Sequence, residues 1–229
     1  MTIVFVTLAV VFLGLTVYFS PWVWRQVRMS KIRRAMVRNR MLALTFDDGP
    51  SETMTPRILD LLRQHDVKAT FFLLGEHAKE HPELADRILR EGHDIGCHAD
   101  RHVHAWKAAP WSAIADIEAG YLSLAKWMGA QGMFRPPCGK MTLPTLLSIR
   151  RRGASVWWWT VDSGDTHDVL PMPEDIVDAV VREHGGIVLF HDLERSEERN
   201  AFVLQTTAKL IEAAKTASLR VQPLRKVLS

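Results

Sequence analysis

The sequence predicts an α/β fold that is preceded by one membrane-spanning helix. Two patterns predict it: an uncharged apolar stretch of about twenty residues near the N-terminus, and a regular alternation of short apolar runs with amphipathic helical segments from Met41 onward. A length of 229 residues allows one sizeable core and leaves little for a second independent domain. We therefore expect a single α/β domain, residues 41–229, behind an N-terminal anchor.

The stretch from Thr2 to Trp24 carries no charged side chain and is long enough to cross a hydrocarbon layer of ~30 Å as a helix. A cleaved signal peptide would need basic residues before the apolar run and a small-x-small site after it, and the sequence has neither. Tyr18, Trp22 and Trp24 fit the aromatic belt found at membrane interfaces. Residues 2–24 are therefore predicted to be a transmembrane anchor.

A basic segment, residues 25–40, directly follows this anchor. Met29, Ile32 and Met36 recur in it at helical spacing, and its basic side chains are Arg25, Arg28, Lys31, Arg33, Arg34, Arg38 and Arg40. The pattern predicts a juxtamembrane amphipathic helix on an anionic lipid surface, with a solvated linker as the alternative. The positive-inside rule then predicts a single-pass protein of the cytoplasmic (inner) membrane whose C-terminal domain lies on the cytoplasmic face.

Seven short apolar runs are candidate strands, and five helical segments lie between them. The strands are predicted at 41–46, 69–74, 94–97, 132–134, 155–159, 186–190 and 219–222, and the helices at 55–65, 82–91, 113–128, 173–184 and 202–217. Pro56 and Pro82 stand near the starts of the first two helices, where proline is favoured. This alternation predicts a mainly parallel sheet, arranged as a β/α barrel or as a doubly wound sheet.

Asp, His or Arg side chains follow five of the seven predicted strands. In barrels and in open α/β sheets, reactive groups collect at the carboxyl ends of the strands, where the loops converge. The clusters are Asp47-Asp48-Gly49-Pro50, Cys97 to His102, Arg135-Pro136-Pro137-Cys138-Gly139, Asp162-Ser163-Gly164-Asp165 and His191-Asp192. We therefore expect these clusters to form one shared active site.

Two of the clusters carry groups that bind metals. The adjacent carboxylates of Asp47 and Asp48 are costly to hold together unless a cation or a basic group is near, although a simple Asp-Gly-Pro turn is the alternative. His98 and His102 are spaced so that both rings can face one ion, and His104 is a weaker extra candidate. One Asp and two His suit zinc holding a water, and iron, cobalt or nickel would also accept them.

These clusters and the residues around them resemble the five motifs of the polysaccharide deacetylase family, also described as the NodB-like or chitin deacetylase homology domain. The matching segments are Thr45–Pro50, His98–His102, Arg135–Gly139, Asp162–Asp165 and Leu189–His191. The resemblance covers about residues 41–223, in the family's order. It implies a distorted (β/α)7-type barrel and a metal-dependent hydrolase that removes an N-acyl group from an amino sugar.

The resemblance also implies roles for individual side chains of the first three motifs. Asp48, His98 and His102 would hold the divalent ion, usually zinc. Asp47 would be the general base that activates water, and Arg135 would orient and tune it.

The later motifs would complete the reaction. His191 would protonate the departing amine as general acid, and Asp165 would keep His191 protonated, because a nearby carboxylate favours the imidazolium. The Cys138 backbone N–H would stabilise the oxyanion, and Gly139 belongs to the same oxyanion and substrate-binding loop.

The chain departs from the family's pattern at three positions. Ala99 stands where the family has Ser or Thr, Cys138 where it has an aromatic residue, and Thr166 where it has Trp. The lost aromatic residues line the substrate pocket in the family, so the departures bear on the substrate more than on the chemistry. A disulfide between Cys97 and Cys138, the two cysteines of the sequence, is left open.

The distribution of charge favours a membrane-proximal partner. The net charge of +3 is concentrated beside the anchor and no base-reading motif is present, so nucleic acid is not an expected partner. We expect an N-acylated amino sugar, preferably on a lipid-linked glycan precursor at the cytoplasmic face. The alternatives are an extracytoplasmic peptidoglycan or chitin-type N-deacetylase and a non-catalytic carbohydrate-binding protein on the same fold. The sequence does not indicate an oligomeric state.

Overall fold

The computed structural model describes residues 2–128 and 132–227, in which eight parallel strands form one curled sheet. The strands are β1 (Met41–Asp47), β2 (Thr70–Leu73), β3 (Asp94–Cys97), β4 (Met133–Phe134), β5 (Ser155–Val156), β6 (Val161–Asp162), β7 (Gly186–His191) and β8 (Arg220–Val221). Their order is β5-β4-β3-β2-β1-β7-β6, with β8 also paired to β1. Residues 228 and 229 of the predicted domain lie outside the described residues.

Helices surround this half-barrel and also precede it. They are α1 (Thr2–Asn39), α2 (Met54–Gln64), α3 (Gly75–Glu80), α4 (Pro82–Arg90), α5 (Pro110–Ser123), α6 (Leu143–Arg151), α7 (Pro173–Arg182) and α8 (Glu197–Thr216). Helices α4, α5 and α7 begin at a proline, whose missing N–H would have no partner in the first turn anyway. The sequence analysis missed α3, α6 and β6, and it extended β5 to residue 159.

An aromatic ladder packs the centre of the sheet. Phe46, Phe71 and Phe190 lie opposite one another on β1, β2 and β7, and their rings stack with centroids 5.1 and 5.6 Å apart. Side chains alternate between the two faces of a strand, so Thr45 and Asp47, the neighbours of Phe46, project to the opposite face. That face is the interior of the half-barrel, and it leads to the carboxyl ends of the strands.

Helix α1 is one continuous helix that joins the predicted anchor to the domain. It is long and apolar enough to cross a membrane by length and composition, a test that a signal sequence also passes, and its first half exposes Val4, Phe5, Leu8, Phe12 and Leu15. Its second half packs on the domain, with Met29, Ile32 and Met36 only 8%, 2% and 0% exposed. The expectation that this apolar face lies on lipid is wrong, because the protein core covers it.

The same helix covers the gap between the two end strands of the sheet, β5 and β6. Arg28 Nε donates a hydrogen bond of 2.8 Å to the carbonyl of Val156 on β5. Trp24 packs edge-on against Trp158 with centroids 5.7 Å apart, and the Arg25 guanidinium lies 5.6 Å from the centre of the Trp158 ring. Uncovered strand edges invite pairing with other chains, and α1 covers the β5 edge here.

The burial of α1 predicts that Ile32→Ala lowers the free energy of unfolding by about 2–5 kcal/mol, since the change removes a core side chain and leaves a cavity. Val37 lies on the same helix but is 41% exposed, so Val37→Ala is the matched control and should change stability by less than about 0.5 kcal/mol. Urea titration of the detergent-solubilised protein, followed by tryptophan fluorescence, measures both. Equal effects of the two changes would contradict the packing of α1 on the domain.

Candidate active site

The backbone is locally strained where the first three motifs meet at the mouth of the half-barrel. Asp47 ends β1, and Asp48, the next residue, has a φ of 73°. Ala99, His102 and Cys138 have positive φ as well, at 70°, 62° and 53°. Such backbone angles cost of order 1–3 kcal/mol each in non-glycine residues and concentrate where a site requires an unusual chain direction.

Asp48, His98 and His102 converge on one point. Asp48 Oδ1 lies 3.4 Å from His98 Nε2 and 3.5 Å from His102 Nε2, and the three ligand atoms all lie within 4.8 Å of one another. Asp48 Oδ1 is buried and has no hydrogen-bond partner in the described part of the chain. An unpartnered buried carboxylate oxygen is costly, so the cluster fits a divalent cation that would complete it.

His98 is prepared to bind through its Nε2 atom. Its Nδ1 atom donates to the carbonyl of Arg135 at 2.7 Å, which leaves Nε2 as the unprotonated nitrogen of a neutral ring. Burial lowers the pKa of His98 to about 3, so the ring is neutral near pH 7. A histidine oriented through its other nitrogen in this way is typical of metal sites.

Arg135 is fully buried and holds Asp47 in place. Its Nη1 atom donates to Asp47 Oδ1 at 2.7 Å and to Thr45 Oγ1 at 2.8 Å, and its guanidinium lies 4.2 Å from the centre of the Phe72 ring. Burial raises the pKa of Asp47, while the charges of Arg135 and His191 oppose the rise. The result is a fixed carboxylate that is more basic than usual, which suits a general base.

His191 faces the site from the neighbouring strand, because it lies opposite Asp47 in the register of β7 with β1. Its Nδ1 atom is 2.8 Å from Asp165 Oδ1, and its backbone N–H donates to Asp165 Oδ2 at 2.8 Å. Burial lowers the pKa of His191, but the hydrogen bond and charge of Asp165 outweigh burial, so the pKa is raised overall. The arrangement favours the protonated ring, the form that a general acid needs.

The loop after β4 brings Cys138 and Gly139 to the site. The Gly139 N–H donates to the Pro136 carbonyl at 2.8 Å and the Gly139 carbonyl accepts from the Trp158 indole at 3.1 Å, so both backbone groups of this residue hold the loop. The thiols of Cys97 and Cys138 are both free, the first buried and the second exposed. The possible disulfide is therefore not formed.

One open pocket of about 320 Å³ unites these groups, a volume within the ~300–1,000 Å³ of small-ligand sites. The predicted site residues that line it are Asp47, Asp48, His98, His102, Cys138, Gly139 and His191. Arg135 and Asp165 support it from behind, through Asp47 and His191 respectively. The structure thus brings every predicted site residue to the same end of the half-barrel.

The pocket has further walls from residues to which the sequence analysis gave no catalytic or binding role. They come from Pro136, Trp159, Asp162, Thr166, Leu189 and Arg195. Trp159 ends a run of three tryptophans whose first two members are only 2% and 1% exposed. In the sequence the three tryptophans look like part of one buried strand. In the structure β5 ends at Val156, and the Trp159 ring turns to the pocket.

Residues 35–157, more than half of the chain, match the polysaccharide deacetylase family. The chain belongs to this family. The predicted resemblance and the predicted α/β fold of the distorted (β/α)7 type are confirmed, and the enzyme class is metal-dependent carbohydrate N-deacetylase.

The matches to individual family members cover most of the domain. A peptidoglycan-N-acetylglucosamine deacetylase of Bacillus cereus is 38% identical over 157 residues, covering 67% of this chain and 73% of that protein. A chitooligosaccharide deacetylase of Bradyrhizobium is 31% identical over 201 residues, covering 81% and 89% respectively. The crystal structure of a peptidoglycan N-acetylglucosamine deacetylase has a TM-score of 0.75 at 32% identity and covers 83% of this chain and 89% of its own.

The geometry of the cluster predicts that His98→Ala reduces the affinity for Zn²⁺ by more than about 100-fold, since a direct ligand contributes more than the outer partners, whose loss costs 10–100-fold. His104→Ala is the matched control, because the His104 ring accepts the Trp106 N–H at 3.1 Å and lies outside the cluster. Zinc titration and elemental mass spectrometry of both variants measure this. Similar zinc contents would show that His98 is not a ligand.

Proposed function

We propose that this deacetylase removes acetyl groups from N-acetylglucosamine units of a cell-envelope glycan of the peptidoglycan type. The observation that carries the proposal is the placement of Asp47 and His191 on adjacent strands, on either side of a pocket that also contains the Asp48, His98 and His102 cluster. The substrates named for the relatives, peptidoglycan N-acetylglucosamine and chitooligosaccharides, support an N-acetylated amino sugar.

Asp48, His98 and His102 would hold the divalent ion, with zinc as the first choice and cobalt, nickel or iron as alternatives. Such an ion, when bound, supplies Lewis acidity toward the amide carbonyl oxygen and toward a water molecule. The neutral His98 ring and the unpartnered Asp48 oxygen support this ligand set.

Asp47 would take the proton of the attacking water, a contribution of about 10²–10⁴-fold in rate for a positioned general base. Its bond to Arg135 fixes the carboxylate so that the unbonded oxygen, Oδ2, is available. The Cys138 N–H would donate to the carbonyl oxygen as negative charge develops on it. Gly139 would shape the loop rather than donate, because its own N–H is already bonded to Pro136.

His191 would deliver a proton to the amine nitrogen as the carbon–nitrogen bond breaks. Asp165 acts through His191: it fixes the ring by its bond to Nδ1 and favours the protonated form. Because Nδ1 faces Asp165, Nε2 is the atom from which the proton would leave. The base and the acid are therefore separate groups with pKa values set by separate surroundings.

We further propose that the domain acts outside the cytoplasmic membrane, where peptidoglycan lies. The opposite orientation, predicted from the basic residues after the anchor, finds no support in the relatives' named substrates. Arg25 and Arg28 have a packing role against Trp158 and Val156, which explains part of the basic cluster without any rule of membrane orientation. A single-pass anchor at residues 2–24 is retained as part of the proposal.

A lipid-linked glycan precursor is a second candidate substrate. Arg25 directly follows the predicted anchor, and its guanidinium lies 5.8 Å from the centre of the Trp159 ring, which lines the active-site pocket. The pocket is therefore close to the point where the chain would leave the membrane, so a sugar carried on a lipid would be within reach.

The proposed base predicts that Asp47→Asn lowers kcat by about 10²–10⁴-fold, because the variant cannot accept the proton of water. The control is Asp178→Asn, an exposed carboxyl on α7 that should leave kcat unchanged. Acetate release from N-acetylglucosamine oligomers by the full-length, zinc-loaded protein measures both. Full activity of Asp47→Asn would contradict the assignment.

The same variant separates the candidate substrates in cells. Mass spectrometry of cells carrying Asp47→Asn should show wall glycan with additional acetyl groups if the polymer is the substrate. An acetyl gain confined to the lipid-linked pool would favour the second candidate. Unchanged acetylation in both pools would contradict deacetylation as the function.

The Asp165–His191 pair predicts a change in pH dependence. Because Asp165 raises the pKa of His191, Asp165→Asn should lower it, and the acid form should be lost at a lower pH as the pH rises. The alkaline limb of the kcat/KM profile should therefore move to lower pH, while the exposed neighbour Asp168→Asn should leave it in place. An unmoved alkaline limb in Asp165→Asn would rule out His191 as the acid that Asp165 tunes.

A further inference from the structure

A second cavity adjoins the active-site pocket on the side of α1. It has a volume of about 420 Å³, and we call it the arginine groove after its lining by Arg25, Ser30, Arg33, Arg34 and Trp159. Trp159 lines the active-site pocket as well. The two cavities therefore share a wall, and a ligand longer than one sugar could occupy both.

The arginines of this groove form no ion pair with a carboxylate in the described part of the chain. Elsewhere in the protein Arg57 and Arg87 form ion pairs with acidic side chains, but no Asp or Glu among residues 2–128 and 132–227 pairs with Arg25, Arg33 or Arg34. Arg25 stacks on tryptophan rings, and the side-chain bond of Arg34 goes to a carbonyl of its own helix. Positive charges gathered in one cavity create a potential that attracts an anion.

We propose that the arginine groove binds a phosphate group of the substrate while the N-acetyl sugar occupies the active-site pocket. Guanidinium groups match phosphate oxygens through paired, charge-assisted hydrogen bonds, which a neutral sugar hydroxyl cannot equal. The inference rests on the proposed deacetylase function and names the substrate class of its second candidate, amino sugars joined to a phosphate. It favours the lipid-linked candidate over an unsubstituted neutral polymer.

The position of the groove along α1 agrees with this class of substrate. Its first residue, Arg25, follows the predicted anchor directly, so the Arg25 end of the groove would lie at the depth of lipid phosphates. A phosphodiester headgroup of the surrounding membrane offers the same chemistry as a sugar phosphate. The two sources differ in one respect: only a substrate phosphate changes the selectivity of the enzyme between soluble substrates.

The test compares two double variants of the full-length protein in a neutral detergent. Arg33→Gln with Arg34→Gln alters the groove, and Lys31→Gln with Arg38→Gln removes the same charge from exposed positions of α1 outside it. The substrates are an N-acetylglucosamine oligomer with and without a phosphate on its reducing end. The groove variant should lower the ratio of kcat/KM, phosphorylated over neutral, by about tenfold, and the control should keep the wild-type ratio.

Three outcomes would overturn the proposal: a wild-type ratio near unity, an equal fall of the ratio in both double variants, and an unchanged ratio in the groove variant. In the third case, weaker binding of the groove variant than of the control to phosphatidylglycerol vesicles would assign the groove to membrane headgroups. In every case, continued acetate release from the neutral oligomer would leave the proposed deacetylase function intact, and its absence in the wild-type protein would contradict that function separately.

Discussion

The buried guanidinium of Arg135 is the group on which the rest of the site depends. Its side chain neutralises and fixes Asp47, and its main-chain carbonyl accepts the Nδ1 proton of His98. One residue after β4 therefore orients both the proposed base and a proposed metal ligand. A buried charge without its partner costs several kcal/mol, so loss of either Arg135 or Asp47 would destabilise the interior of the half-barrel together with the reactive end of β1. The Nε and Nη2 atoms of Arg135 have no hydrogen-bond partner within the described residues, and Asp47 is the carboxylate that pairs with its Nη1 atom.

The parallel register carries this arrangement across the sheet. Asp47 and His191 reach the same level because β1 and β7 pair residue for residue, and His98 follows β3 at the same edge. Helix α1 then closes the side that the strands leave open, through Arg28 and the tryptophans beyond β5. The long apolar helix α1 is thus a wall of the catalytic domain as well as its N-terminal extension, and Trp159 connects that wall with the pocket.

The strand ends and their polar clusters could be predicted from sequence, since both depend on local composition and on the rule that parallel strands present their carboxyl ends together. The sequence could not show whether lipid or protein covers the apolar face of α1. Met29, Ile32 and Met36 show which side of a helix is apolar, but lipid and protein would bury that side equally well, and only the packed structure decides. The prediction of a strand over residues 155–159 was wrong for a related reason. The residue types predicted a buried strand, whereas β5 ends early and the Trp159 ring lines the pocket. The β6 strand escaped detection because two paired residues leave no period to read.

The hydrogen bond from Arg28 to Val156 spans 128 positions of the chain. In synthesis, α1 leaves the ribosome long before β5 and β6 exist, and contacts between distant segments form slowly because the intervening chain must first be ordered. If α1 is anchored, its apolar inner face, which follows the predicted anchor, would therefore stay uncovered until β5 and β6 are synthesised. With such an anchor the domain would mature beside the bilayer, and α1 would be the template on which the end strands of the sheet are packed.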